Sequence, residues 1–194
     1  MDLIPLVLLD VDGVLNAIPR GRSNKSDPSI WSDWSDATAH ADGTAFPIRY
    51  SPTVTAAIRG WHDNGLADVR WLTTWADDAN GDLRAVLGLP EFPVAGSPPL
   101  VPSTTTIAAG SHAAASSRSY TDDSGWWKLS AVKRLVAADP TRPVVWLDDD
   151  LRWEAGAQSW FRKNVRGLVL APHAHLGLTP KLLATVDAFL APNA

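Results

Sequence analysis

The chain contains no cysteine and a single methionine, Met1. Without cysteine there is no disulfide scaffold, no thiolate-ligated zinc or iron–sulfur site and no thiol nucleophile. No apolar run reaches the roughly 18 residues that argue a transmembrane helix. Asp2 and the absence of a basic region before the first apolar stretch do not fit a signal peptide. A cytoplasmic protein without membrane contact is the expectation. Strong charge is missing too. The formal net charge is −4, which does not suit the long basic groove of a non-specific nucleic-acid binder. What is abundant is tryptophan, with ten residues in a chain of 194. That length suits one domain, 1–194, with room for an insertion, and needs no covalent staple to bury a core.

Short apolar runs alternate with helical periodicity. Leu3–Leu9 reads as a buried strand ending at Asp10. Ser51-Pro52 opens a helix, with Ser as N-cap and Pro at the first position, and Val54, Ile58 and Trp61 share one face. Val69–Thr73 reads as a strand, Asp77–Leu87 as a helix and Phe92–Ala95 as a short strand. A helix from about Gly125 to Ala138 precedes a strand at Val144–Leu147. Leu151–Asn164 is helical, Gly167–Ala171 is a last strand, and Thr179-Pro180 caps a final helix. Strands alternating with helices imply an α/β fold, a parallel sheet with helices on both faces. Two stretches break the pattern. Residues 16–50 are polar and turn-rich and read as a flap or small cap insertion. Residues 97–124, rich in Ser, Thr, Ala and Pro, read as a mobile loop.

The chemistry-bearing residues fall just after strands, where open parallel sheets bind ligands. Asp10 and Asp12 follow the first strand, Thr73 and Thr74 end the second, and Asp148, Asp149 and Asp150 follow Val144–Leu147. Several carboxylates on one rim repel each other unless protonated or neutralised. A hard divalent cation such as Mg²⁺ removes that problem, taking oxygen ligands and a substrate phosphate. A nearby hydroxyl and lysine complete a phosphate cradle, which is a phosphoryl-transfer site in outline.

The order Asp10-Val11-Asp12-Gly13-Val14, an apolar strand ending in Thr73, Lys128, then Asp148-Asp149 resembles the haloacid dehalogenase-like (HAD) hydrolase superfamily. Trp71-Leu72-Thr73-Thr74-Trp75, with Tyr50-Ser51-Pro52 before it and Leu89-Pro90 after, resembles the branch found in Swiss Army Knife RNA repair proteins. The resemblance implies a Rossmann-like three-layer α/β/α fold with a small or minimal cap. It implies Asp10 as a nucleophile forming an aspartyl-phosphate, and Asp12 as the acid for the leaving oxygen and then the base for water. Mg²⁺ would be bound by the Asp10 side chain, the Asp12 backbone carbonyl and Asp149. Asp148 would support the metal or orient Lys128, and Thr73 and Lys128 would hold phosphate oxygens. The substrate implied is a phosphomonoester, with a nucleotide or nucleic-acid terminal phosphate as the first expectation. A small-metabolite phosphatase and a catalytically idle binding domain are the alternatives.

Other readings compete at single positions. A calcium loop starting at Asp10 fails, because Leu15 and Gly21 stand where its Gly and Glu belong. Lys133 competes with Lys128 for the phosphate role. Thr74 either assists Thr73 or caps the next helix, and Asp150 reads as an N-cap. His173 and His175 are too few donors for a zinc site and read as solvated loop residues. Arg20, Arg22 and Lys25 read as a solvated charge run. Trp61, Trp71, Trp146, Trp153 and Trp160 lie at core positions of strands and helices. Trp75, Trp126 and Trp127 sit beside the motifs, where a base or sugar can stack on them or where they anchor loops by packing. Trp31 and Trp34 fall in the insertion.

Overall fold

Leu6–Leu9 is apolar at every position, and it forms β1 with all four side chains buried. A computed structural model describes residues 3–19, 30–99, 121–122 and 125–191, with backbone alone at 121–122. Arg20, Arg22, Lys25 and most of the loop expected at 97–124 lie outside the described residues. Three further strands join β1 in a parallel sheet: β4 (Asp68–Trp71), β7 (Val144–Leu147) and β8 (Gly167–Leu170). The order is β4-β1-β7-β8, with Leu6 level with Asp68 on one side and Val144 on the other. Trp71 also bridges in parallel to Val94, so the expected strand at 92–95 survives as one bridge at the sheet edge. Leu3 and Ile4 are exposed and precede the ladder, which makes β1 shorter than its apolar run.

Alternation along the strands divides the core in two. Val7, Leu9, Val69, Trp71, Val145 and Leu147 face α1 (Pro52–Asp63) and α5 (Pro180–Leu190). Leu6, Leu8, Val144 and Trp146 face α3 (Trp127–Ala138) and α4 (Ala155–Asn164). The result is the three-layer α/β/α architecture with a central parallel sheet. Ser51 and Thr179 cap α1 and α5 as expected, each accepting a backbone N–H three residues on.

The stretch at 16–50 contains a hairpin, β2 (Ser35–Ala41) and β3 (Thr44–Tyr50), with Ala41 opposite Thr44. Its two-residue turn is Asp42-Gly43, both at positive φ (48° and 73°). That is the requirement of the turn type that matches strand twist. After β4, Asp77–Leu87 is not one helix. A 3₁₀ turn (Ala76–Asn80) and α2 (Asp82–Leu87) are separated at Gly81. The break is fixed by Asn80, whose side-chain oxygen accepts from Trp71 Nε1 and Phe92 N–H. Likewise 151–164 divides into a 3₁₀ turn (Asp149–Arg152) and α4, which turns Trp153 outward. Trp153 is 67% exposed and not a core residue. Backbone pairing at 121–122 with 125–126 gives a last short ladder, β5 (Thr121–Asp122) with β6 (Gly125–Trp126).

Candidate active site

From β1 the chain passes to β4 on one side and later returns to β7 on the other. The crevice between the carboxyl ends of β1 and β7 is therefore the switch point of the sheet, where ligands bind in this architecture. Asp10 leaves β1 there, tied by its N–H to Leu147 O at 3.0 Å, and Asp148 leaves β7, tied to Leu170 O at 3.2 Å. Both are buried, so Asp10 is not a surface-rim group.

Lys128, the second residue of α3, is buried between them. Its Nζ donates to Asp10 Oδ2 at 2.7 Å and to Asp148 Oδ2 at 2.8 Å. Burial works against the Lys128 charge, but the two carboxylates outweigh it and move its pKa up. Its ammonium also lies 5.9 Å from the ring centres of Trp126 and Trp127. Lys133, the competitor, lies over the Trp160 ring at 5.6 Å instead.

Asp10, Asp148 and Asp149 place carboxylate oxygens within 4.8 Å of one another, and they form the acidic group able to hold a cation among the described residues. Burial pushes Asp149 up to about 8, helped by the charges of Asp10 and Asp150. Burial also pushes Asp148 up, against the pull of Lys128. One lysine cannot neutralise this many carboxylates. An all-oxygen donor set carrying excess negative charge fits Mg²⁺. Gly13 leaves the space: a Cβ there would stand 2.3 Å from Asp149 Cγ, and its φ of +76° is left-handed. The residues present thus fit the cation that the motif order implied.

Asp12 stands apart from that group. Its Oδ1 accepts from Asn16 Nδ2 at 2.7 Å and its Oδ2 from Trp75 Nε1 at 2.9 Å. Burial raises its pKa to about 6, although both hydrogen bonds oppose the shift. Thr73 is fully buried past the end of β4, and its Oγ1 accepts the Trp75 N–H at 3.4 Å. Thr74 does not cap the next turn, whose capping position is Trp75. It lines a small pocket with Asp42, Phe46, Trp75 and Asp78. The expected cap at Asp150 is supplied by Asp148, whose Oδ1 accepts the Asp150 N–H.

Trp75, Trp126 and Trp127 are all buried, so their indole faces pack rather than stand open for a base. Trp126 stacks on Trp146 at 5.3 Å and Trp75 meets Phe46 edge-on at 5.2 Å. In the insertion, Trp31 packs on the core and donates to Leu178 O. His173 and His175 meet edge to face at 5.6 Å, outside the acidic group. Sequence reasoning missed Asn16 and the reach of Trp75 to Asp12. The only signal was that Asn16 closes the turn begun at Asp12, as the Asp12–Asn16 bridge shows.

Among the described residues no helix is long and apolar enough to cross a membrane. Comparison with characterised proteins and with solved structures returns no match. A family model, the HAD domain in Swiss Army Knife RNA repair proteins, matches residues 6–183. That span runs from the start of β1 into α5 and includes Asp10, Asp12, Thr73, Thr74, Trp75, Lys128, Asp148 and Asp149, and a HAD domain supports a phosphatase-type hydrolase. The chain therefore belongs to the family of HAD domains found in Swiss Army Knife RNA repair proteins.

Proposed function

We propose that the chain is a Mg²⁺-dependent phosphatase that hydrolyses a phosphomonoester through an aspartyl-phosphate on Asp10. The observation that carries this reading is the buried ion triad of Asp10, Lys128 and Asp148 beside Asp149, with Asp12 two residues after Asp10. An Asp10 carboxylate oxygen attacks phosphorus, and the bond from phosphorus to the ester oxygen breaks. The leaving oxygen takes its proton from Asp12. Water then attacks the same phosphorus and gives a proton to Asp12, which releases phosphate and restores Asp10.

Lys128 and the Thr73 hydroxyl hold the non-bridging phosphate oxygens, and Thr74 extends that edge. Lys128 is pre-placed, because its ammonium already touches the nucleophile. Asp10, Asp149 and the Asp12 carbonyl would hold Mg²⁺, with Asp148 behind them. When bound it would offset the charge of the carboxylates and of the phosphate. The substrate we infer is a nucleotide or the phosphorylated end of a nucleic acid. The family's occurrence in RNA repair proteins supports it. Trp75, counted from sequence among the substrate contacts, acts in this reading through Asp12.

The test is a panel of nucleoside monophosphates, phosphorylated RNA and DNA ends, sugar phosphates and phosphopeptides, with Mg²⁺ and with chelator. Turnover should require Mg²⁺, and nucleoside monophosphates or phosphorylated oligonucleotide ends should be strongly preferred over sugar phosphates and phosphopeptides. Asp10→Asn should abolish turnover; its single amide oxygen can keep one of the two bonds that the carboxylate accepts from Lys128 and the Val11 N–H, so a thermal melt beside the assay separates lost chemistry from lost fold. Substantial Mg²⁺-dependent turnover by Asp10→Asn would end the aspartyl-phosphate reading. A preference for free sugar phosphates would end the nucleic-acid one.

A further inference from the structure

We propose that Asn16 and Trp75 are positioning residues for Asp12, and that β3 braces them both. The proposal rests on the reading of Asp12 as acid and base. Each Asp12 carboxylate oxygen accepts one hydrogen bond, Oδ1 from Asn16 and Oδ2 from Trp75. One donor would leave the carboxylate free to turn about that bond. Two donors on two oxygens fix both its place and its plane. The donors come from separate parts of the chain, the turn after β1 and the turn after β4, and their common support is β3. Asn16 Oδ1 accepts the Arg49 N–H at 2.8 Å, and the neighbouring Ala17 N–H donates to Arg49 O at 2.8 Å. The Trp75 ring rests edge-on against Phe46, two residues inside the same strand. Both side chains are buried, so their orientation is set by packing rather than by solvent. Neither belongs to the acidic group that would face a cation.

An acid that must deliver a proton to one oxygen depends on its placement, and a displacement of about 1 Å can cost roughly 10²-fold in rate. The cost should fall on the step that uses the proton. Leaving groups separate that step from the rest. An alkyl phosphomonoester needs a proton on its departing oxygen, whereas 2,4-dinitrophenyl phosphate does not.

The experiment measures the first phosphoryl transfer and KM on both esters with Mg²⁺, for the full chain and for Trp75→Phe, Asn16→Ala and Asp12→Asn. Trp75→Phe keeps a ring against Phe46 and deletes the donor together with part of the buried indole. Both positioning variants should slow transfer from the alkyl ester by about 10- to 100-fold, within the range of general-acid contributions. They should leave KM and the dinitrophenolate burst near wild type. Wild-type transfer from the alkyl ester, or equal slowing on both esters, overturns the proposal. If Asp12→Asn itself transfers from the alkyl ester at the wild-type rate, the acid–base reading has failed. If Asp12→Asn is impaired and the two variants are not, positioning alone has failed. A second readout does not need turnover. The indole N–H resonance absent in Trp75→Phe should move upfield in Asp12→Ala, and an unmoved resonance overturns the clamp. Should Trp75→Phe not fold, the Asn16→Ala kinetics decide.

Discussion

Gly13 joins the two halves of the site. It follows Asp10 and Asp12 at the end of β1 and faces the Asp149 carboxylate after β7, with no room for a single methyl group. Gly13→Ala would place a Cβ inside the Asp149 carboxylate and put a left-handed φ on alanine, at about 1–2 kcal/mol for the backbone. The expected outcome is a folded protein with a lower melting temperature and roughly 10-fold or greater loss of Mg²⁺ affinity, in the range seen when groups supporting a metal are disturbed. Calorimetric titration with Mg²⁺ checks this, and wild-type affinity would refute it. The candidate carboxylates and threonines were legible because each follows an apolar strand in a fixed order. Lys128 could not be told from Lys133 by spacing alone. Only the packing of α3 shows one ammonium between two carboxylates and the other over Trp160.

At the scale of elements, the hairpin and α1 are held by short-range chemistry that is partly readable. Ser51 accepts the Val54 N–H and donates to Asp33 Oδ1, while Asp33 Oδ2 accepts the Thr53 N–H at 2.7 Å. The first turn of α1 therefore has two caps, one of them brought in from before β2. Ser51→Ala should lower stability by about 1 kcal/mol through the lost cap. In a chain this long that is a fall of about 2–4 °C in Tm, read by thermal melting. The Ser51 cap was visible in sequence as Ser-Pro before an apolar face, but Asp33 was not, because its contact is tertiary. Asp42-Gly43 was a readable hairpin turn that the polar composition of 16–50 obscured. The breaks at Gly81 and Trp153 were hidden for another reason. Apolar spacing continues through both, and what interrupts the helices is Asn80 bonding to Trp71 and Phe92 and Asp148 capping its own turn.

For the whole molecule, folding gathers negative charge at one end of the sheet. At the other end Asp68 pairs with Arg70 and Arg142 at 2.7 and 2.9 Å. The crowded end has a stability consequence. Burial raises Asp149 to about 8 and Asp12 to about 6, above the ordinary carboxylate value of 3.8. Groups raised on folding stabilise the protein while protonated, and that contribution is lost as pH rises through the folded pKa. Without metal, stability should therefore fall between about pH 4 and pH 8. Mg²⁺ should restore it most at the upper end, where fewer protons have to be displaced from Asp149. At 100 times its Kd a bound ion adds about 2.7 kcal/mol. Melting curves at pH 6 and pH 8, with and without Mg²⁺, check the sign. A Mg²⁺ effect that is larger at pH 6 would contradict it.

The sequence by itself determined the layer architecture, the helix caps at Ser51 and Thr179, and the identity and order of the acidic, hydroxylic and basic residues. These follow from periodicity and from chain-local hydrogen bonding, which act over a few residues. The absence of cysteine directed the chemistry toward carboxylates before any contact was known. Tertiary structure decided what each group touches: Lys128 buried between Asp10 and Asp148, Gly13 against Asp149, and Asp12 held by Asn16 and Trp75. It also decided between stacking and packing for the tryptophans beside the motifs, in favour of packing and one hydrogen bond. The physical reason is that burial and partner geometry are set by residues far apart along the chain, as Asp10 and Lys128 are at 118 positions.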